Sequence, residues 1–354
     1  MARVYAVIMA GGRGERFWPL STDEAPKPFL PLLGSSTLLQ QTVARLQPLI
    51  PLERILVSVG EAHSGIARTQ LPQLPECNFI VEPVGRDTSA SLGFSALHLE
   101  CRDPEAAMFA LPADHFIPDP HAFRLISEKG INSLEGAPAV VFGITPTRPD
   151  TGYGYVMAEK PAVQADAWPV LRFFEKPDAL KATEYCRAGN FFWNSGMFLW
   201  KNRTLLDLFR KYMPGTWEGL SRLRPLIGRD EDRGERARIY SALQRISIDY
   251  GILEKTPGMR LVPADIAWDD IGHWAALARA LPADGAGNVF RGPGAALEAG
   301  GCITYSDAGP VALFGVKDLV VVQAHGKVLV CPRNKAPDLK KLMPTLPDSE
   351  RKAV

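Results

Sequence analysis

Up to about residue 145 the chain alternates short β-branched apolar runs with amphipathic stretches. The runs 4–10, 54–59, 78–82, 106–111 and 139–143 carry few polar residues, which predicts strands covered on both faces. Between the first two, Ser36 and Thr37 stand where a helix needs its N-cap. Leu39, Val43 and Leu46 then fall on one face of the helix that follows. Further helices are predicted over 87–101 and 121–133. Strand, helix, strand at this spacing builds an α/β fold around a mostly parallel sheet with right-handed crossovers. Such a sheet binds ligands beyond the carboxyl ends of its strands.

From 150 to about 283 the texture is mixed. A Gly/Tyr-rich turn is followed by strand-like 171–175 and 192–200 and by helical stretches near 178–188, 203–213 and 234–246. The run Arg229-Asp230-Glu231-Asp232-Arg233 reads as a solvated loop or helix start. After Gly285, short apolar pieces (295–297, 311–315, 319–323, 328–331) recur between Gly, Asp and Pro. They predict a small all-β region closed by a helix near 337–343, with spacing too irregular for a hexapeptide repeat.

Composition narrows the partners. With 40 Lys+Arg against 39 Asp+Glu and a net charge of +1, the chain has no excess charge for nucleic-acid phosphates or an anionic membrane. Cys77, Cys101, Cys186, Cys302 and Cys331 are odd in number and form no CxxC pair. That fits reduced thiols in a cytoplasmic protein better than a disulfide framework or zinc site. No apolar run approaches the roughly 20 residues of a membrane span. The segment 4–10 follows one basic residue and runs straight into a glycine turn, so it reads as a strand and not as a signal segment.

The strongest chemical signal is Ala10-Gly11-Gly12-Arg13-Gly14-Glu15-Arg16, followed by Pro26-Lys27-Pro28. Glycines after a first strand let the backbone turn sharply and aim N–H groups at an anion. Arg13, Arg16 and Lys27 add cationic donors for phosphate. The loop matches neither a dinucleotide fingerprint, since Phe17 stands where the third Gly or Ala belongs, nor a Walker A loop, which needs Gly-Lys-Ser/Thr. Asp114 follows an apolar strand and should sit at its carboxyl end. Asp270 lies far away in sequence, beside Gly272. Two carboxylates over a triphosphate suit Mg²⁺, which takes oxygen ligands and few protein contacts. Taken alone, Asp114 reads equally as a capping residue, and His115 beside it as structural. Glu175-Lys176-Pro177 would by itself be a surface ion pair at a strand's end, and Asp87 a helix N-cap.

The glycine turn with Pro26-Lys27-Pro28 resembles the signature of sugar-nucleotide pyrophosphorylases, and the further motifs resemble their mannose-1-phosphate guanylyltransferase branch. Those motifs are Glu82-Pro83-Val84-Gly85-Arg86-Asp87-Thr88, Pro112-Ala113-Asp114-His115, Thr151-Gly152-Tyr153-Gly154-Tyr155, Phe174-Glu175-Lys176-Pro177, Trp193-Asn194-Ser195-Gly196 and Trp268-Asp269-Asp270-Ile271-Gly272. Together they run in the family's order from residue 10 to about 275.

The resemblance implies GTP and mannose 1-phosphate as substrates, GDP-mannose and diphosphate as products, and Mg²⁺ as cofactor. It implies a catalytic domain over 1–283, its nucleotide part to about 145 and its sugar-phosphate part from about 146, and a β domain over 284–354. It assigns catalysis to Arg13, Lys27, Asp114, Lys176 and Asp270, with Asp114 and Asp270 on the metal. Nucleotide binding falls to Ala10, Gly11, Gly12, Arg13, Gly14, Lys27, Gly85, Arg86, Asp87, Thr88 and Asp114. Sugar-phosphate binding falls to Gly154, Glu175, Lys176 and Asn194. Tyr153, Tyr155, Trp193 and Phe198 are expected to pack the pocket walls, and Asp269 not to bind the metal. Asp87 departs from the family, which has Asn there, and an ionised Asp can only accept hydrogen bonds. A guanylyl- or other nucleotidyltransferase (uridylyl or thymidylyl) acting on a different sugar 1-phosphate, such as a heptose 1-phosphate, or a non-catalytic regulatory subunit are the alternatives. The resemblance and the apolar β pieces further imply a homodimer through the C-terminal region. A chain stopping soon after Lys341 is not expected to carry an isomerase half.

Overall fold

A computed structural model describes residues 2–12 and 14–347, without the side chain of Asp230. The chain divides into two units. The first consists of Met1–Gly11, Val43–Pro112 and Ile117–Trp268. Its nine strands are β1 (Val4–Met9), β2 (Ile55–Gly60), β3 (Phe79–Glu82), β4 (Ala107–Pro112), β5 (Val140–Ile144), β6 (Tyr155–Ala158), β7 (Trp168–Phe174), β8 (Phe191–Lys201) and β9 (Arg260–Ala264). They form one sheet in the order β3-β2-β1-β4-β8-β5-β9-β7-β6. The β1–β4 quartet is parallel, as is the β5–β9 pair, while β8 runs antiparallel between β4 and β5. Both faces are covered: Val7, Leu56, Met108 and Ala110 are buried with Leu92, Ala96 and Phe209 on one face, and on the other Phe109 stacks 6.2 Å from Phe123 of the helix Pro120–Ser133.

The five predicted strands and the helices Leu38–Leu46, Asp87–Arg102 and Pro120–Ser133 form where the pattern puts them. Thr37 and Gln40 bond reciprocally, side chain to backbone N–H, at 2.9 and 3.3 Å, a capping box that fixes the first helix start. The Gly/Tyr-rich turn runs on into β6, and the helix near 234–246 ends earlier, as Arg233–Ser241. The pattern misses helix Pro214–Leu223, where Pro214 sits in the first turn and needs no N–H partner. That helix approaches the Asp87–Arg102 helix closely, because a Cβ on Gly93 would lie 2.8 Å from Leu220 Cδ1.

The second unit gathers three stretches, Gly12–Thr42, Ala113–Phe116 and Asp269–Val354. Its strands are β10 (Val289–Arg291), β11 (Gly294–Leu297), β12 (Ile303–Ser306), β13 (Val311–Phe314), β14 (Leu319–Ala324) and β15 (Lys327–Pro332). They form a four-stranded sheet, β10-β12-β14-β15, and a two-stranded one, β11-β13. Alternate strands pair in parallel, β10 with β12, β12 with β14 and β11 with β13, and the β14–β15 hairpin is antiparallel. The helix expected near 337–343 is a 3₁₀ winding over Arg333–Thr345, interrupted by Pro337 and Pro344. One apolar core joins all this to the glycine-turn segment: Phe17, Leu30 and Leu38 are buried with Trp274, Val289, Ile303, Val320 and Leu329. Trp274 is its hub. Its ring lies 5.1 Å from Phe17 and 5.4 Å from Tyr305, and its Nε1 donates to the Trp18 carbonyl at 3.0 Å.

Candidate active site

Three residues expected at a phosphate and metal site come from the three separate stretches of the second unit. The Lys27 ammonium donates to Asp114 Oδ2 at 2.8 Å and to the Asp270 carbonyl oxygen at 2.5 Å. Both acceptors therefore sit against one cation, which is itself only 8% exposed as a side chain. It is the main chain of Asp270, not its carboxylate, that meets Lys27.

Burial alone would raise the Asp114 carboxyl, but the nearby charges of Lys27 and His115 and the Lys27 hydrogen bond hold it below the ordinary carboxylate range. Gly14 makes the Lys27 position possible. Its φ is +65°, and a Cβ there would lie 2.4 Å from Lys27 Cβ. Asp269 is buried and holds Arg279 through both oxygens, at 2.5 and 2.8 Å, while its Oδ1 accepts the Ile271 N–H. Those bonds support Ile271 at φ +43°, a costly conformation for a β-branched residue and one that strained sites tolerate. Arg13 lies outside the described residues. Among the described residues no group of three or more His, Cys, Asp or Glu side chains is arranged to hold a metal ion.

In the first unit, Ala10 and Gly11 follow the end of β1, where the Ala10 N–H donates to Ser58 O at 2.8 Å. Gly85 is exposed and Arg86 half-buried in the loop after β3, and exposed Asp87 and half-buried Thr88 open the helix that follows. Asp87 takes a left-handed φ of 67°, and its Oδ1 accepts the adjacent Thr88 N–H at 2.7 Å. The N-cap position of the helix belongs to Arg86, not Asp87. Thr88 Oγ1 is engaged too, accepting the Ile248 N–H at 2.8 Å. Behind the loop, buried Glu82 accepts hydroxyls from Ser58, Ser91 and Tyr240 at 2.7, 2.8 and 2.5 Å. This network anchors the last residue of β3, from which the loop leaves, and burial and the Glu82 charge push the Tyr240 phenol upward.

The sugar-phosphate candidates also lie in the first unit. Asn194 N–H donates to Gly154 O at 2.8 Å, and a Cβ on Gly154 would lie 2.9 Å from Glu175 Oε2. Glycine thus keeps Glu175 and Asn194 together. Lys176, at φ +39° and largely exposed, pairs with Glu175 Oε1 at 3.1 Å. Tyr153, Tyr155, Trp193 and Phe198 are all buried.

Sequence reasoning missed Asp249. Its Oδ1 accepts from Asn194 Nδ2 at 2.7 Å. Burial raises its carboxyl above the ordinary range; the Asn194 hydrogen bond lowers it and the charge of Glu175 raises it further. Glu254 is raised by burial and by the charges of Asp249 and Glu175. A polar Ser247-Ile248-Asp249-Tyr250 turn in a helical region was the available signal.

Fold and site define a class: a nucleotidyltransferase domain followed by a β-helix-type domain. The chain matches the nucleotidyl transferase family over residues 5–286 and the MannoseP isomerase/GMP-like beta-helix domain over 294–346, and it belongs to the nucleotidyl transferase family. It is similar to mannose-1-phosphate guanylyltransferase of Escherichia coli strain K12, with 37% identity covering 97% of this chain and 73% of that protein. Xanthan biosynthesis protein XanB of Xanthomonas campestris pv. campestris strain ATCC 33913 is 34% identical over 99% of this chain and 75% of its own length. A solved structure described as mannose-1-phosphate geranyltransferase from Thermus thermophilus superposes with a TM-score of 0.89 at 37% identity. It covers 97% of this chain and 99% of its own.

Proposed function

We propose that this chain is a mannose-1-phosphate guanylyltransferase, joining GTP and mannose 1-phosphate into GDP-mannose and releasing diphosphate. The observation that carries this reading is the buried Lys27 ammonium seated on Asp114 and on the main chain of Asp270 behind the glycine turn. Relatives of that name matching nearly the whole chain support the choice of sugar and base.

A phosphate oxygen of the sugar phosphate attacks the α-phosphorus of GTP. As that bond forms, the bond from the α-phosphorus to the oxygen bridging to the β-phosphorus breaks, and diphosphate leaves with the electron pair. The nucleophile is already anionic, so no general base is needed. The obstacle is charge: at ~5 Å two unit charges repel by about 3 kcal/mol at an effective dielectric near 20. Neutralisation and alignment are therefore the protein's work. Lys27 and Arg13 serve the triphosphate, the N–H groups of Gly12 and Gly14 turn toward it, and Lys176 serves the sugar phosphate. Glu175 and Asn194 read sugar hydroxyls beside Gly154. Ala10, Gly11 and the loop Gly85, Arg86, Asp87 and Thr88 receive the base.

Asp114 and Asp270 would hold Mg²⁺. The fit rests on donor chemistry: a carboxylate oxygen and a main-chain oxygen already converge on one cation, and a hard ion held by few protein oxygens takes its remaining ligands from phosphates and water. When bound, the ion would supply charge neutralisation at the phosphates.

The catalytic domain is assigned to about 1–283, with nucleotide and sugar-phosphate parts meeting near 145, and 284–354 to a β domain. A cytoplasmic setting agrees with free cysteines at Cys77, Cys101, Cys186, Cys302 and Cys331, and no described helix is long and apolar enough to cross a membrane. The β domain presents Phe314, Val328 and Val330, 59 to 70% exposed, with β15 at a sheet edge; a second copy of this chain is the proposed partner. The test is diphosphate release from a panel of NTPs and sugar 1-phosphates. GTP with mannose 1-phosphate should exceed every other pair; a preference for a heptose 1-phosphate, or no turnover at all, would overturn the reading.

A further inference from the structure

Asn194 has a side-chain amide whose two ends are both held. The Gly196 N–H donates to its Oδ1 at 3.1 Å, and its Nδ2 donates to Asp249 Oδ1 at 2.7 Å. Only one of the two flips of the amide satisfies both partners, since an N–H cannot face Gly196 N–H and an oxygen cannot face a carboxylate. One N–H and one oxygen lone pair remain, a donor and an acceptor on one amide, which suits a pair of hydroxyls.

Asp249 is itself fixed. It lies in the short turn Ile248–Gly251, capped by Ser247 Oγ, which accepts the Tyr250 N–H. Thr88 Oγ1 accepts the Ile248 N–H at 2.8 Å, and the Ser89 N–H donates to Ile246 O at 3.2 Å, so the start of the long helix holds this turn in place. A Cβ on Gly251 would lie 2.5 Å from Met213 Sδ, so the turn is seated as closely as a glycine allows.

We infer that Asp249 is the positioning residue that sets the orientation of the Asn194 amide and thereby the recognition of the sugar's hydroxyls. The inference rests on the reading of Asn194 as a sugar ligand. Asp249 acts through Asn194, and an amide free to flip presents the wrong polarity to the hydroxyls for part of the time.

The test is steady-state kinetics in both substrates on the full chain, with Asp249→Ala, Asp249→Asn and Asn194→Ala. Losing a hydrogen bond to a charged group predicts a rise of about tenfold or more in KM for mannose 1-phosphate in Asp249→Ala, with KM for GTP within about twofold. Asp249→Asn keeps an acceptor facing Asn194 and should stay within about threefold of wild type. A sugar KM unchanged in Asp249→Ala but raised in Asn194→Ala would overturn the inference alone. An unchanged sugar KM in Asn194→Ala would overturn the sugar-site reading and this inference with it. If Asp249→Ala does not fold, a tenfold rise in Asp249→Asn would by itself overturn the orientation argument, and a near-normal value would support it.

Discussion

Replacing Lys27 with Met removes the cation from under Asp114 while keeping most of the side chain's apolar volume. Breaking a buried ion pair from one side costs about 3–5 kcal/mol, because the other charge stays buried without its partner. The Asp114 side chain keeps 24% of its exposure, so water screens part of that cost and about 2–3 kcal/mol is the expected loss. The loss has a pH signature. In the wild type the depressed Asp114 carboxyl contributes stability that is complete above the unfolded value near 4 and fades only as pH falls through the folded value. Without Lys27, burial, already the largest single influence, is no longer outweighed and raises the carboxyl. Its cost is then present at neutral pH and relieved as pH falls through the raised value. The gap between Lys27→Met and wild type should therefore narrow between pH 8 and about 4.5. Urea denaturation followed by tryptophan fluorescence reads it, with Trp18 and Trp274 reporting on the second unit. Asp114→Asn added to Lys27→Met should recover at least about 1 kcal/mol relative to the sum of the two single changes. A loss below about 0.5 kcal/mol at neutral pH, or one that does not change with pH, would refute the pairing argument.

Other changes test the remaining parts. Asp114→Asn and Asp270→Asn should each lower kcat by two or more orders of magnitude with GTP affinity nearly kept, as binding titrations beside kinetics would show. Gly14→Ala meets both a left-handed φ and Lys27 Cβ at 2.4 Å, so it should cost at least about 1–2 kcal/mol and cut turnover at least tenfold. Since burial raises the Asp249 carboxyl, its contribution to stability is present below the ordinary value and lost as pH rises through the folded one. Asp249→Asn should accordingly gain on wild type as pH increases from 4 to 8 in thermal unfolding. Phe314→Asp with Val330→Asp should shift the chain to monomer in size-exclusion chromatography with light scattering, activity persisting.

Much of this was legible in the sequence where a local rule decides. Apolar runs gave the parallel strands, Ser36 and Thr37 the helix start, and three glycines the sharp turn. Long-range packing was not legible. Nothing local in Phe17, Trp274, Val320 and Leu329 says that the C-terminal strands share a core with the glycine turn, because burial there depends on three stretches far apart in sequence. A cut near residue 282 would consequently strip apolar cover from Phe17 and Trp274. Asp249 escaped notice for a related reason. A lone acid in a four-residue turn has no periodicity, and its meaning appears only when Asn194, 55 positions away, donates to it. Asp87 was read as a plausible cap because the rule weighs residue type, while its backbone takes the left-handed conformation and leaves the N-cap position to Arg86.

The central claim is a direct transfer of guanylyl from GTP to a sugar phosphate. It is tested most directly by incubating the purified chain with α-³²P-labelled GTP, with and without mannose 1-phosphate. The account predicts label in GDP-mannose when the sugar phosphate is present and, when it is absent, no label on the protein and no exchange of separately added ³²P-diphosphate into unlabelled GTP. Label that stays on the protein, or that never reaches GDP-mannose, would contradict it.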